Sequence, residues 1–291
     1  MTEYSNPRLP EHVNNSERRP FREFLWLTGG VLGAVVIGVL VLGLAAQWVA
    51  PKIPFAYESG LSQPLVATLA GDAQPGDARI AAYLQGLADR IAAAQGLPKD
   101  MPIQVHYVDD DTVNALATLG GHVLIYRGLL QRLPHENALT MVLSHEIAHV
   151  THRDPIVSLG RGVVVAVAVA ALVGVSSNSL ADQVVGEAGT LTQLGFSRSQ
   201  ERAADEAGLA AVAALYGHTG GAADLYVVLR EESGGSAGAA AFFQTHPDLD
   251  GRIASISELS RRNGWPQRGR ITPLPQWLSA ALSANGGQAE P

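Results

Sequence analysis

The chain has no cysteine among its 291 residues. Disulfides, thiolate-ligated zinc and thiol catalysis are excluded, so any metal site has to be built from histidine and carboxylate. The absence says nothing about compartment. Positive charge is also short: 20 Lys and Arg against 27 Asp and Glu give a formal net charge of −7, which argues against nucleic acid as a partner. A third absence is local, for residues 24–50 carry no charged side chain. That stretch is long enough to cross a hydrocarbon core of about 30 Å.

Trp26 and Trp48 mark the two ends of this run, where aromatic belts form. Arg8, Arg18, Arg19 and Arg22 precede it and only Lys52 lies close behind it. The positive-inside rule then makes 1–23 a cytoplasmic, disordered tail and puts everything after residue 50 on the far side. A cleaved signal peptide has a shorter apolar core and a shorter leader, so a retained anchor over 24–50 is expected.

Apolar residues make up 47% of the chain, enough for a substantial core beyond the anchor. Pro51, Pro54, Pro64 and Pro75 predict a linker over 51–75. Ile80, Leu84, Leu87 and Ile91 stripe a helix over 77–95, and 103–108 alternates like a half-buried strand carrying His106. Asp109, Asp110 and Asp111 lack the spaced loop of a calcium site and read as a solvated turn. Between Asn114 and Tyr126, two short strand segments flank Gly120 and Gly121, and a helical turn begins at Arg127. A strand there either offers a sheet edge to an extended peptide or closes an ordinary hairpin.

Residues 139–152 contain neither Gly nor Pro, and Leu139, Val142, Leu143, Ile147 and Val150 repeat with a helical period. Within them stands His145-Glu146-Ile147-Ala148-His149. Four residues apart on a helix, the two imidazoles share a face and can share a metal ion, with Glu146 beside them to handle a proton. Zinc in such a site supplies hydroxide near neutral pH and polarises a carbonyl. A third protein ligand is needed. His152 lies about 10.5 Å along the axis from His145 at 1.5 Å per residue, too far for one ion. Among the downstream helical acids Glu187, Glu201, Glu206, Glu231 and Glu232, Glu201 is singled out by Asp205 one turn later. Glu201 can ligate while Asp205 accepts the outer N–H of a ligand histidine. The competing reading is a surface turn salt-bridged through Arg198 and Arg202.

The apolar segment 162–175 is short for a span and reads first as a core helix. Further helices are expected over 182–194, 197–216, 219–232 and 248–263, with a flexible loop over 233–238. Four prolines in the 27 residues from Trp265 predict an unpacked tail over 265–291.

His145-Glu-Ile-Ala-His149, Glu201-Arg-Ala-Ala-Asp205 and Thr245-His-Pro247 with Arg252-Ile253 resemble, in order and spacing, the HtpX/Oma-like and CAAX-protease-related zinc metallopeptidases. The segment around Asn114 and Gly120–Leu130 resembles the one ahead of that family's metal helix. The resemblance covers about residues 75 to 263. It implies a mainly helical α+β, zincin-type domain over 76–264 with a small sheet, one zinc per chain and polypeptide substrates. It further implies His145, His149 and Glu201 as zinc ligands, Glu146 as general base and Asp205 as supporting acid. By the same resemblance His246 stabilises an oxyanion or caps the zinc, Arg252 positions its loop, and substrate runs past Asn114, Gly121, His122 and Val123. Leu119 stands where the family often has Pro, and one clear span replaces the several of multi-span members. The expectation is a single-pass bacterial inner-membrane endopeptidase, facing the periplasm, that removes misfolded or unassembled envelope proteins. A zinc-stabilised binding or chaperone-like module is the alternative.

Overall fold

The expected stripe of Ile80, Leu84, Leu87 and Ile91 is buried on one face of a helix in the computed structural model, which describes residues 20–70, 77–173, 196–232, 246 and 249–285. The elements in order are α1 (Pro20–Val49), α2 (Ala56–Ala70), α3 (Asp77–Gln95), β1 (Gln104–Val108), β2 (Ala115–Ala117), β3 (His122–Tyr126), α4 (Arg127–Leu130), α5 (Glu136–Thr151), α6 (Asp154–Val173), α7 (Arg198–Tyr216), α8 (Asp224–Glu232), α9 (Leu249–Arg262) and α10 (Gln276–Asn285). The fold is α+β and mainly helical, as expected. The helix expected over 182–194, the tail 1–19, the loop 233–238 and the neighbours of His246 fall outside the described residues.

The sheet runs β1-β3-β2, with β1 parallel and β2 antiparallel to β3. The tight turn between β2 and β3 uses Gly120 and Gly121 at φ 71° and 82°, where an L side chain is strained. Helix α5 lies at the centre, buried at every residue from Glu136 to Val150. The His135 ring caps it by accepting the Ala138 N–H at 3.1 Å. Against it packs α7, started by a Ser197/Gln200 capping box and stopped by Gly217 in the left-handed region. Gly208 permits the close approach, since a Cβ there would meet His145 N and Met141 Cε at 3.3 Å.

Four sequence expectations change. Of the expected linker over 51–75, the described residues 51–70 are not open chain: α2 occupies Ala56–Ala70, and Phe55, Glu58, Ser62 and Val66 are buried. Pro51 and Pro54 precede the helix, and Pro64 lies within it, where tertiary context overrides the low helix propensity of proline. In the expected tail over 265–291, the described residues 265–285 are not unpacked, because α10 drives Leu278 and Leu282, one turn apart, into the main core, and Arg79 covers Trp277 at 4.0 Å from the ring centre. Thr272 and Asn137 join the stretch before α10 to the start of α5 through Thr272 N–H to Asn137 Oδ1 and Glu136 N–H to Thr272 O. Composition flagged disorder, whereas two leucines at helical spacing are enough to dock a short segment. The packed domain therefore extends past residue 264 to α10.

In the segment 162–175, the described residues 162–173 are not a core helix either. They belong to α6, which lies along α1, where a Cβ on Gly160 would lie 3.3 Å from Ala46 Cβ, while Val165, Val167 and Val169 are about half exposed at 51%, 48% and 54%. An all-apolar run looks alike whether it faces a core or lipid, and only packing separates the two. Last, the helix expected over 219–232 begins at Asp224, after a turn through Thr219–Ala222. By length and composition Pro20–Lys52 is able to cross a membrane, and its most apolar window is unburied.

Candidate metal centre

Helix α5 sends His145, Glu146 and His149 inward, and α7 sends Glu201 and Asp205 to meet them. His246 comes in from the stretch before α9, which itself contributes Arg252. All seven side chains are buried. His145, His149, Glu201 and His246 each offer one ligand atom within 4.8 Å of the other three. His145 Nε2 lies 3.0 Å from His149 Nε2, 3.3 Å from His246 Nδ1 and 3.5 Å from Glu201 Oε2. Glu201 oxygens lie 3.4 Å from His149 Nε2 and 3.1 Å from His246 Nδ1.

The proton positions decide whether this set fits a cation. His145 Nδ1 is 3.0 Å from Asp205 Oδ1, and His149 Nδ1 is 2.8 Å from Asp154 Oδ2. An ionised carboxylate only accepts, so in each neutral ring Nδ1 carries the proton and Nε2 presents a lone pair. Two such lone pairs facing each other at 3.0 Å repel, and a cation between them removes the conflict. Ligands about 2.05 Å from a tetrahedral zinc are about 3.3 Å apart, the spacing found here. The residues present fit one zinc ion.

The surrounding charges serve the same end. Burial opposes ionisation of Asp205, yet Arg252 and the His145 ring bring its carboxyl down to about 2. Arg252 donates from Nε to Asp205 Oδ2 at 3.0 Å and from Nη2 to Oδ1 at 2.5 Å, and its Nη1 is 3.2 Å from Glu201 Oε2. Burial likewise opposes ionisation of Glu201, but His246, His145 and His149 hold it well below the usual carboxylate range. Burial keeps His246 below the ordinary histidine value, in the neutral form a ligand needs. For His145, burial and Arg252 disfavour the charged ring, but Asp205 and Glu201 outweigh them and lift it to about 9. Without metal, the cluster holds a proton where the cation fits.

Metal binding is therefore expected to depend on pH. Below pH about 9 metal must displace the His145 proton, so affinity should fall about tenfold for each unit of pH from there down. Calorimetry in buffers of different ionisation enthalpy should show about one proton released per zinc at pH 7, and release of none counts against this proton inventory.

The structure brings together Glu146, His145, His149, Glu201, Asp205, His246 and Arg252. It separates the four residues expected to bind substrate. Val123 is on β3, the central strand, paired with Val105 on one side and Ala117 on the other, so its backbone offers no edge. The His122 ring is buried and shares a 2.9 Å hydrogen bond with His106. Gly121 packs so closely that a Cβ would lie 2.0 Å from Pro102 O. Asn114 is buried and accepts the Ala115 N–H on Oδ1. The misplacement arose because a hairpin in sequence does not reveal which arm β1 joins.

Four neighbours of the centre escaped the sequence reading. Asp154 orients His149, and Gln200 Nε2 donates to its other oxygen at 2.6 Å. The Tyr226 hydroxyl accepts from Arg252 Nη2 at 2.7 Å, and Phe196 stacks on His149 with ring centres 3.9 Å apart. For Asp154 a signal existed, an acid five residues after a ligand histidine at the start of the next helix. Tyr226 and Phe196 carry no such mark. A pocket of about 220 Å³, lined in part by Arg198, Arg202 and Ser255, borders Glu201 and Arg252. His152 sits exposed at the end of α5, apart from the cluster.

Comparison with known proteins agrees with this geometry. The model of Peptidase family M48 matches residues 78–260, more than half of the chain. The chain is 32% identical over 178 residues to mitochondrial metalloendopeptidase OMA1 of Schizosaccharomyces pombe, covering 60% of this chain and 52% of that protein. It is 26% identical over 189 residues to a putative beta-barrel assembly-enhancing protease of Vibrio cholerae, covering 62% of this chain and 39% of that one. With a protease HtpX homolog of Acidiphilium cryptum it shares 28% identity over 201 residues, covering 62% and 64% of the two. The chain thus spans between about two fifths and two thirds of these relatives. Given the matched region and the cluster of histidines and glutamate inside it, this chain belongs to peptidase family M48.

Proposed function

We propose that this chain is a zinc endopeptidase anchored by α1, with its domain on the periplasmic side of a bacterial inner membrane, acting on misfolded or unassembled envelope proteins. The observation that carries the reading is the convergence of His145, His149, Glu201 and His246 on one zinc-sized point. Relatives named as metalloendopeptidase, HtpX homolog and assembly-enhancing protease support the substrate class, and the excess of arginine before α1 supports the sidedness. In this reading His145, His149 and Glu201 hold the ion, which when bound supplies Lewis acidity for water activation and carbonyl polarisation. Glu146 takes the proton of the attacking water and passes it to the leaving amine. Asp205 and Asp154 fix the two imidazoles, and Arg252 keeps Asp205 ionised and pairs with Glu201.

Substrate docking moves from β3 to β2. Ladder hydrogen bonds link Thr118 N–H to His122 O and Tyr126 N–H to Asn114 O. By the antiparallel alternation, Ala115 and Ala117 turn their backbone groups away from β3; Asn114 Oδ1 already takes the Ala115 N–H, so the Ala115 carbonyl and the Ala117 groups face the edge. Among the described residues no further strand pairs with β2, so an extended polypeptide adds there, alongside α5.

A second reading has its own observation. His246 Nδ1 stands among the ligand atoms, leaving no open position, which describes a gated protease or a zinc-stabilised binding module. His246→Ala separates the cases in a fluorogenic peptide assay. A rise of about tenfold or more marks a gate, a fall of about 10²-fold marks a direct part in catalysis, and no turnover in either protein marks a binding module.

A further inference from the structure

Arg153 is the one non-glycine residue at positive φ (65°) among the described residues. Glycine would adopt this backbone at less cost, yet Arg153 is present and buried. Its guanidinium lies 2.7 Å from Glu58 Oε1, donates from Nη2 to the Ile53 carbonyl, and sits 5.2 Å from the centre of the Phe55 ring. All three partners belong to one short stretch between the anchor and the first turn of α2. The second oxygen of Glu58 accepts the Gly120 N–H at 3.0 Å, in the turn that leaves β2. That turn is seated hard against α2, for a Cβ on Gly120 would lie 2.9 Å from Ser59 Cα and one on Gly121 3.2 Å from Phe55. On its other side Arg153 is bonded to Asp154, whose carboxylate holds His149 Nδ1 at 2.8 Å.

A continuous set of contacts thus runs from the membrane-proximal segment to a ligand histidine and to the turn behind β2. A buried ion pair contributes little net stability compared with apolar side chains of like volume; what it specifies is geometry. Strained backbone beside a functional group points the same way. We propose that Arg153 is a positioning residue for the metal centre, held by Glu58, and that the segment from Ile53 to Ser62 is a working part of the active site. The inference rests on the metal-centre reading above. The segment precedes residue 78, where the matched family region begins, so Glu58 reaches Arg153 and Gly120 from outside that region.

The test uses the full-length chain in detergent, loaded with zinc, and follows zinc release to a chromogenic chelator together with kcat and KM on an unstructured peptide. Arg153→Ala is expected to release zinc about tenfold faster and to lower kcat at unchanged KM, as loss of outer support for a ligand does, and Arg153→Lys to recover most of both. Zinc release and kcat within about twofold of wild type in Arg153→Ala, whatever its melting temperature, overturn the proposal. Should Arg153→Ala fail to fold, Glu58→Gln carries the same test, since it keeps the volume and the Gly120 contact while removing the charge. A wild type that takes up no zinc overturns the metal reading and this inference together. A wild type that binds zinc and cleaves, with variants that match it, overturns this inference alone.

Discussion

Glu146→Gln is expected to lower peptide hydrolysis on the order of 10²–10⁴-fold while zinc content stays at the wild-type level. The residue stands next to His145, but its carboxylate is not among the converging ligand atoms, so removing its charge leaves the donor set intact. Its Oε1 is 3.4 Å from His246 Nε2, and its Oε2 is buried without a hydrogen-bond partner. A buried, unpartnered carboxylate oxygen at a metal centre is what a proton acceptor for substrate water requires. Glutamine keeps the volume and the outline of the site but cannot take the proton. The comparison needs a fluorogenic peptide and metal analysis of the same preparation. Turnover within about tenfold of wild type would remove Glu146 from the role of base, and loss of zinc would make it a structural partner of the ligands instead.

Arg252→Met is expected to have the largest effect on stability, about 3–5 kcal/mol in the metal-free protein. Arg252 is 5% exposed and pairs with both Asp205 and Glu201, so its loss takes the guanidinium from two buried carboxylates at once. Methionine fills much of the space, which confines the effect to charge. Asp205 reports the same change through pH. Its folded value of about 2 lies below the ordinary 3.8, so it contributes stability that is present above pH about 4 and lost as pH falls through about 2. Without Arg252 that contribution shrinks, and acid unfolding moves to higher pH. Denaturant melts of both proteins, with zinc and with chelator, measure each part. Zinc offsets part of the loss by binding only the folded chain. A destabilisation under about 1 kcal/mol without metal would mean that the carboxylates find another partner.

Much of the centre was legible because helix geometry is local. His145 and His149, and Glu201 and Asp205, stand four residues apart, and that spacing alone puts each pair on one helix face whatever the rest of the chain does. The two glycines before His122 and the leucine–isoleucine stripe of α3 were readable for the same reason. The helix able to cross a membrane was legible from length and missing charge. The chain's membership of its family, resting on several ordered motifs, is supported by the match over residues 78–260.

What resisted reading depends on contacts between residues distant in sequence. Whether β3 or β2 forms the sheet edge is settled by β1 joining β3, a pairing that no local pattern encodes. Asp154 reaches His149 only because the chain reverses at a strained Arg153, which Glu58 clamps from far upstream. The prolines around α2 and before α10 suggested linker and tail, and tertiary contacts through Phe55, Leu278 and Leu282 recruited both into the domain. The sequence by itself determined the membrane-crossing run, the donor chemistry and the two helical ligand pairs, since each comes from a periodicity within one element. Only the tertiary structure decided that His246 and Arg252 converge on those pairs and that Glu58 meets Arg153, because long-range packing and charge pairing set those positions.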